Sequence, residues 1–287
     1  MISRLLLASA ASAVLVSILV AAACGDGDGS TGTTPTSPAG SPTGPVSNRD
    51  RTTEQVVPGP ASRYTVLLQD LPRGQFLTDI PNTYVLALDC ETESKECTTY
   101  ARSAAFDSVE AGKALLKQWE YAGGYETSIL PEGYESAVLN GSYYIIVESH
   151  LFKSVEGAKL AFDYFKKRID ANPLAKKEAP PPVGNQAAAW SAVGGPIRPS
   201  DVPALSHWVL FRRGNMVAVA KTIGAQGFMT TQQATILAEL VDDKALGAKE
   251  AIVPTPTSNY TPPPRTVAPA ETVRPPITIT PRATPRP

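Results

Sequence analysis

The placement of proline constrains this chain of 287 residues more than any other feature. Six of its 27 prolines fall within residues 35–60 and eleven within 254–287, which leaves ten in the 190 residues 61–250. Proline fixes φ and removes a backbone donor, so regular structure is confined to the proline-poor middle. A segment of about 190 residues buries roughly 70% of its unfolded surface and supports one full core. The expected organisation is a leader 1–23, an arm 24–60, a single domain 61–250 and a tail 251–287. Charge is balanced, with 26 Lys and Arg against 27 Asp and Glu. A nucleic-acid partner, which calls for a basic stripe, is not expected.

Arg4 precedes residues 5–23, which run without a charge to the small trio Ala21-Ala22-Ala23 and then Cys24. The arrangement has the positive, apolar and small-residue regions of a secretory leader. Small residues directly before a cysteine resemble the lipobox of bacterial lipoproteins, although Ala21 stands where that family more often has Leu. The resemblance implies that Cys24 is lipidated, becomes the first mature residue and holds the chain on the extracytoplasmic side of a membrane. The alternative is an uncleaved helix, since 19 residues at 1.5 Å each span about 28 Å, close to a bilayer core. Ser9, Ser12, Ser17 and seven alanines make that span mild. The resemblance is confined to residues 1–24 and implies a processing class, not an activity.

Residues 25–60 are Gly, Asp, Ser, Thr and Pro with almost nothing apolar, a composition that favours a disordered tether. Residues 251–287 hold eleven Pro and eight Thr, with Arg265, Arg274, Arg282 and Arg286 against Glu271. They read as an extended, weakly basic, disordered stalk, with or without sugars on its threonines, and as a possible contact for wall polymer or an envelope protein.

Within 61–250, a polar loop separates Cys90 from Cys97. With Cys24 assigned to lipid, the remaining pair is expected to form a disulfide. Phe106-Asp107-Ser108-Val109-Glu110 and Phe152-Lys153-Ser154-Val155-Glu156 are similar and lie 46 residues apart, suggesting a strand–helix repeat over about 100–122 and 146–170. Val155, Ala158, Phe162, Phe165 and Ile169 share one helical face, and Val109, Gly112, Leu116 and Trp119 are their counterparts. Ser108 and Ser154 are expected N-caps. Thr230 and Gln233 have capping-box spacing before a third helix with Ile236, Leu237, Leu240 and Val241 inward. All three helices are entered through Phe, any residue, then Ser or Thr, so duplication and shared helix-start chemistry both explain the likeness.

Strands are expected at 64–68, 84–88 and 186–190. Hairpins are expected at 134–139/143–147 around Asn140-Gly141 and at 208–211/216–221 around Arg213-Gly214-Asn215. Hairpins require antiparallel pairing. The fold class is therefore α+β: an antiparallel sheet with about three helices mainly on one face, flanked by disordered arms.

No Gly-x-Ser-x-Gly elbow, His-Glu-x-x-His or P-loop is present, so no catalytic residue, cofactor or metal is assigned. His150, in line with Glu148, and His207 form a metal set only if the fold unites them. Arg212 and Arg213, at the second hairpin tip, are either solvated edge charges or an anion- or partner-binding corner. Tyr100, Tyr121, Tyr125, Tyr134, Tyr143 and Tyr144 suit either a sugar- or peptide-binding face or an edge cover. The function expected is a non-catalytic, lipid-anchored extracytoplasmic module that binds or senses an unidentified ligand. A structural protein working through its basic Pro/Thr tail comes second and an envelope hydrolase a distant third.

Overall fold

The computed structural model describes residues 54–71, 82–131 and 133–249. Cys24, most of the tether and the tail lie outside the described residues. Among these residues one eight-stranded sheet carries the fold, in the order β2-β1-β3-β4-β8-β7-β6-β5. The strands are β1 (Asn82–Ala87), β2 (Thr98–Thr99), β3 (Tyr121–Ile129), β4 (Tyr143–Phe152), β5 (Lys176–Glu178), β6 (Gln186–Pro196), β7 (Pro203–Arg213) and β8 (Met216–Ala225). Every neighbouring pair is antiparallel except β1 and β2, which run parallel on either side of the disulfide loop. Four α-helices accompany them: α1 (Val109–Gln118), α2 (Tyr134–Leu139), α3 (Val155–Asp170) and α4 (Thr231–Ala245).

The α+β class holds, but the helices do not gather on one face. Successive residues of a strand point to opposite sides of the sheet. Trp208, Leu210, Val217 and Val219 join a core containing Leu116, Trp119, Phe162 and Phe165 from α1 and α3. Val209, Phe211, Met216, Ala218 and Ala220 join a second core containing Leu237 and Val241 from α4. Strands covered on both sides read as unbroken apolar runs. Trp208-Val209-Leu210-Phe211 and Met216-Val217-Ala218-Val219-Ala220 are such runs.

Helix starts follow local chemistry. Ser108 accepts from the Ala111 amide and Ser154 from the Gly157 amide, each at 3.1 Å. Thr230 and Gln233 form the expected capping box. Ala158, Phe162, Phe165 and Ile169 are buried as their spacing predicts. On α4 the inward face is Ala234, Leu237, Ala238 and Val241, and Ile236 is exposed. Small alanines let that helix lie close to the sheet, which turns Ile236 outward. Only the helical half of the proposed repeat recurs: β4 runs into Phe152, whereas Phe106 follows the 3₁₀ turn Tyr100–Arg102.

The hairpin expected at 208–221 forms, with Arg213 in β7 opposite Met216 and Gly214-Asn215 making the turn. The one around Asn140-Gly141 does not, because Tyr134–Leu139 is helical. Gly141, at φ 92°, ends that helix instead of turning a hairpin. Residues 64–68 are not a strand either. Short 3₁₀ turns, Ala61–Tyr64 and Leu68–Asp70, flank an extended stretch that places Tyr64 and Val66 in the α4-side core. The strand expected at 186–190 forms and is longer, β6 running Gln186–Pro196 between β7 and the short edge strand β5.

The folded chain also begins earlier than residue 61. Val57 is buried, and its amide donates to Asn215 Oδ1 at 2.6 Å. Gly214, at φ 53°, lies so close to Gln55 that a Cβ there would sit 1.6 Å from the Gln55 carbonyl oxygen. Residues 54–60 are therefore packed against the β7–β8 turn rather than free tether.

Candidate functional site

The register of β3 on β4 places Glu126 opposite Glu148 and Gly124 opposite His150. Strand alternation sends Glu126, Glu148 and His150 to the α1/α3 side of the sheet. Two carboxyl groups thereby meet in the sheet interior. β2 and the 3₁₀ turn Tyr100–Arg102 close over them, leaving a recess of about 30 Å³ lined by Leu86, Thr98, Thr99, Tyr100, Arg102, Ser103, Glu126 and Glu148. Cys90 and Cys97 are disulfide-bonded, with Cα atoms 5.8 Å apart, so the expected bridge pins the loop that delivers β2.

The back of the recess is aromatic. The Tyr100 ring lies 4.4 Å from the His150 ring and 5.7 Å from Tyr121, centre to centre. His150 Nε2 contacts Glu148 Oε2 at 3.2 Å and Nδ1 contacts Tyr121 Oη at 3.3 Å, while Tyr121 Oη donates to the Leu86 carbonyl at 3.2 Å. Tyr121 has one hydrogen to give and spends it on Leu86, so the contact with Nδ1 is made when that nitrogen donates.

The remaining polar atoms are not so provided. Glu126 is only 3% exposed, yet its Oε1 has no hydrogen-bond partner, and neither has the buried Oγ of Ser103. Buried polar atoms without partners are uncommon in folded proteins, and two of them line one recess. Burial, reinforced by the charge of Glu148, pushes the Glu126 carboxyl up to about 9. Farther along the same face, burial pulls Lys221 down to about 7 against the opposing pull of Glu148, and its ammonium lies 4.9 Å from the Trp208 ring centre. Burial also raises Tyr100 and Tyr121 well above the usual phenol range. The recess thus offers hydrogen-bond acceptors and latent negative charge. Arg102, the cation among its lining residues, is drawn outward to Glu93 at 3.2 Å.

Arg212 and Arg213 are neither solvated nor open to an anion. Both are buried, and both are hydrogen-bonded to partners within the protein. Arg213 grips Asp242 through Nε and Nη2 at 2.7 and 2.8 Å, and Asp242 Oδ2 also accepts from the Gly184 amide. Arg212 bonds Gln186, the Gly214 carbonyl and Glu54. These arginines tie the β7–β8 turn to α4 and to the N-terminal segment. Their carboxylate partners come from distant parts of the chain, so the adjacent pair resembles a surface charge in the sequence.

His150 and His207 do not meet: the first faces α1 and α3, whereas His207, opposite Thr222, faces the other side. No group of three or more His, Cys, Asp or Glu suited to a metal occurs among the described residues. Tyr100 and Tyr121 are core residues, not an exposed binding face. Of the recess residues, sequence reasoning singled out Glu148, His150, Tyr100 and Tyr121. It missed Glu126, whose only sequence signal is that it is the single charged residue of the strand Tyr121–Ile129.

No protein-family model matches the chain, and no curated protein matches it. Among solved structures, the extracellular domain of PknH from Mycobacterium tuberculosis is similar over 48% of this chain and 71% of that one, at 12% identity and a TM-score of 0.34.

Proposed function

We propose that the protein is a lipid-anchored extracytoplasmic module that binds or senses a small envelope ligand without transforming it, and that the recess between β2, β3 and β4 is its binding site. The observation that carries this reading is the pair of buried, unpartnered oxygens, Glu126 Oε1 and Ser103 Oγ, in one recess. A fold that leaves two acceptors unmet there gives up stability that a donor-bearing ligand restores. The extracytoplasmic address is supported by the small residues before Cys24 and by the Cys90–Cys97 bridge, which suits an oxidising compartment.

The test is native mass spectrometry of the full chain purified from membranes. A native mass in excess of the denatured mass, lost in Glu126→Gln, is the expected result. A bare native mass, with no thermal shift across a panel of envelope metabolites and wall fragments, overturns the binding role. In the same preparations Cys24→Ser is expected to leave the membrane fraction, and unchanged partition of that variant removes the anchor from the reading.

A further inference from the structure

We propose that the recess takes one protonated primary amine, the terminal –CH2–NH3+ of a small free amine or of an amine carried on a wall peptide. This deepens the binding role proposed above and rests on it. An ammonium has three hydrogens to donate and no acceptor. The recess supplies the complement: Glu126 Oε1 and Ser103 Oγ, both buried and unpartnered, with the Glu148 carboxylate beside them.

Other ligand chemistries fit less well. An anion would face two carboxyl groups, and Arg102, the cation in the lining, already pairs with Glu93. A metal would find two carboxyl groups and no third His, Cys, Asp or Glu ligand among the described residues. Size argues in the same direction. A recess of about 30 Å³ suits a water-sized head better than a trimethylammonium or a guanidinium fork.

Binding carries a proton balance. The empty site holds Glu126 as a neutral carboxyl near neutral pH, since its titration lies at about 9. An ammonium entering the recess pairs with the carboxylate form. Glu126 therefore loses its proton to solvent, the amine keeps all three of its own, and one proton appears in the buffer for each ligand bound.

Calorimetric titration of the full chain in detergent with methylammonium chloride, near pH 7 and in two buffers of different ionisation enthalpy, reads both affinity and protons. Saturable binding with about one proton released is expected from this linkage. Glu126→Gln keeps the shape, loses the charge, and is expected to weaken binding about tenfold or more and to abolish the release. Ser103→Ala, with no bonded partner to lose, is expected to fold normally and to weaken binding about threefold. Tetramethylammonium is expected not to bind. A short lysine peptide distinguishes the sources: tighter binding than methylammonium assigns the site to a peptide-borne amine, and equal binding assigns it to a free one.

Absence of saturation by both amines, or unaltered binding in a folded Glu126→Gln, overturns the inference. So does equal binding of tetramethylammonium. If the full chain retains a ligand without an amine, the inference fails and the binding role stands. If it retains nothing and no amine binds, both fail and the recess is a hydration cavity.

Discussion

The two faces of the sheet each bury carboxylates, and they treat them in opposite ways. On the α4 side, Asp242 meets Arg213 in a two-bond grip and accepts a further bond from Gly184, while Lys244 bonds Asp70 and the Thr65 carbonyl. The charges named there are matched, and the cluster joins α4, the β7–β8 turn and the N-terminal segment. On the α1/α3 side, Glu126 and Glu148 stand opposite one another, and one Glu126 oxygen is unmet. A closed polar network specifies architecture, whereas an open one leaves capacity for a ligand. Polar burial alone is therefore a poor guide to a site, and unmet pairing is informative where it borders a recess, since His207 and Thr222 on the α4 side are also buried without partners.

Breaking the closed cluster should produce the largest effect. Arg213→Met strands Asp242, which is fully buried. Removing one partner of a buried pair costs about 3–5 kcal/mol. Chemical denaturation should show that loss, and the double variant Arg213→Met/Asp242→Leu should recover much of it. A single-variant loss below about 1 kcal/mol, the range of exposed pairs, would show that this cluster does not hold α4 to the turn.

The open cluster should instead reveal itself through pH. Folded Glu126 keeps its proton up to about 9, whereas the ordinary value is 4.5. Its contribution is fully present below about 4.5 and is lost as pH rises towards 9, at up to about 1.4 kcal/mol per pH unit. Lys221 works in the opposite sense. Its value falls from 10.5 to about 7, so stability from this group rises with pH above about 7 and offsets Glu126 between 7 and 9. His207, lowered by burial from 6.5, adds a rise with pH below that value. The difference between wild type and Glu126→Gln removes the last two contributions. Glu148 and Tyr84 on the flanking strands and Arg102 in the recess lining are common to both proteins and remain in place. Relative to wild type, Glu126→Gln should gain about 2–3 kcal/mol between pH 5 and pH 7. Parallel stability curves would mean that Glu126 titrates as an exposed carboxylate and is as well compensated as Asp242 on the other face.

The same contrast explains what was legible beforehand. Ser108, Ser154 and Thr230 could be read as helix starts because a cap acts within three residues. The 208–221 hairpin was legible because its turn and both strands are contiguous. Residues 134–139 were misread because a six-residue helix is too short for its period to compete with an Asn-Gly signal. The second helical layer had a signal, the two continuous apolar runs of β7 and β8, whose meaning is burial on both faces. Arg212 and Arg213 could not be interpreted locally, since Asp242 lies 29 residues further on and Glu54 158 residues before. The recess was least legible. Glu126 and Glu148 become neighbours only through the β3–β4 register, and Ser103 and Tyr100 reach them through a loop closed by the disulfide.

The smallest expected effect separates the two kinds of burial most cleanly. Ser149, on the α4 side, is fully buried, and its hydroxyl donates to the Tyr64 carbonyl. Ser103, on the recess side, has a buried hydroxyl with no partner. Alanine at 149 leaves a buried carbonyl short of a bond and should cost about 1–2 kcal/mol. Alanine at 103 removes an oxygen whose desolvation nothing repays, so its cost should lie within about 0.5 kcal/mol of zero on either side. Equilibrium denaturation of the two variants under one set of conditions makes the comparison. Equal losses would mean that the Ser103 hydroxyl is as firmly satisfied as that of Ser149, by ordered water held in the recess. The two faces would then both be architecture, and the recess would have no unmet acceptor to offer a ligand. A null effect at 103 beside a loss at 149 would show that the fold does not draw on the recess for stability, which leaves its acceptors available for binding.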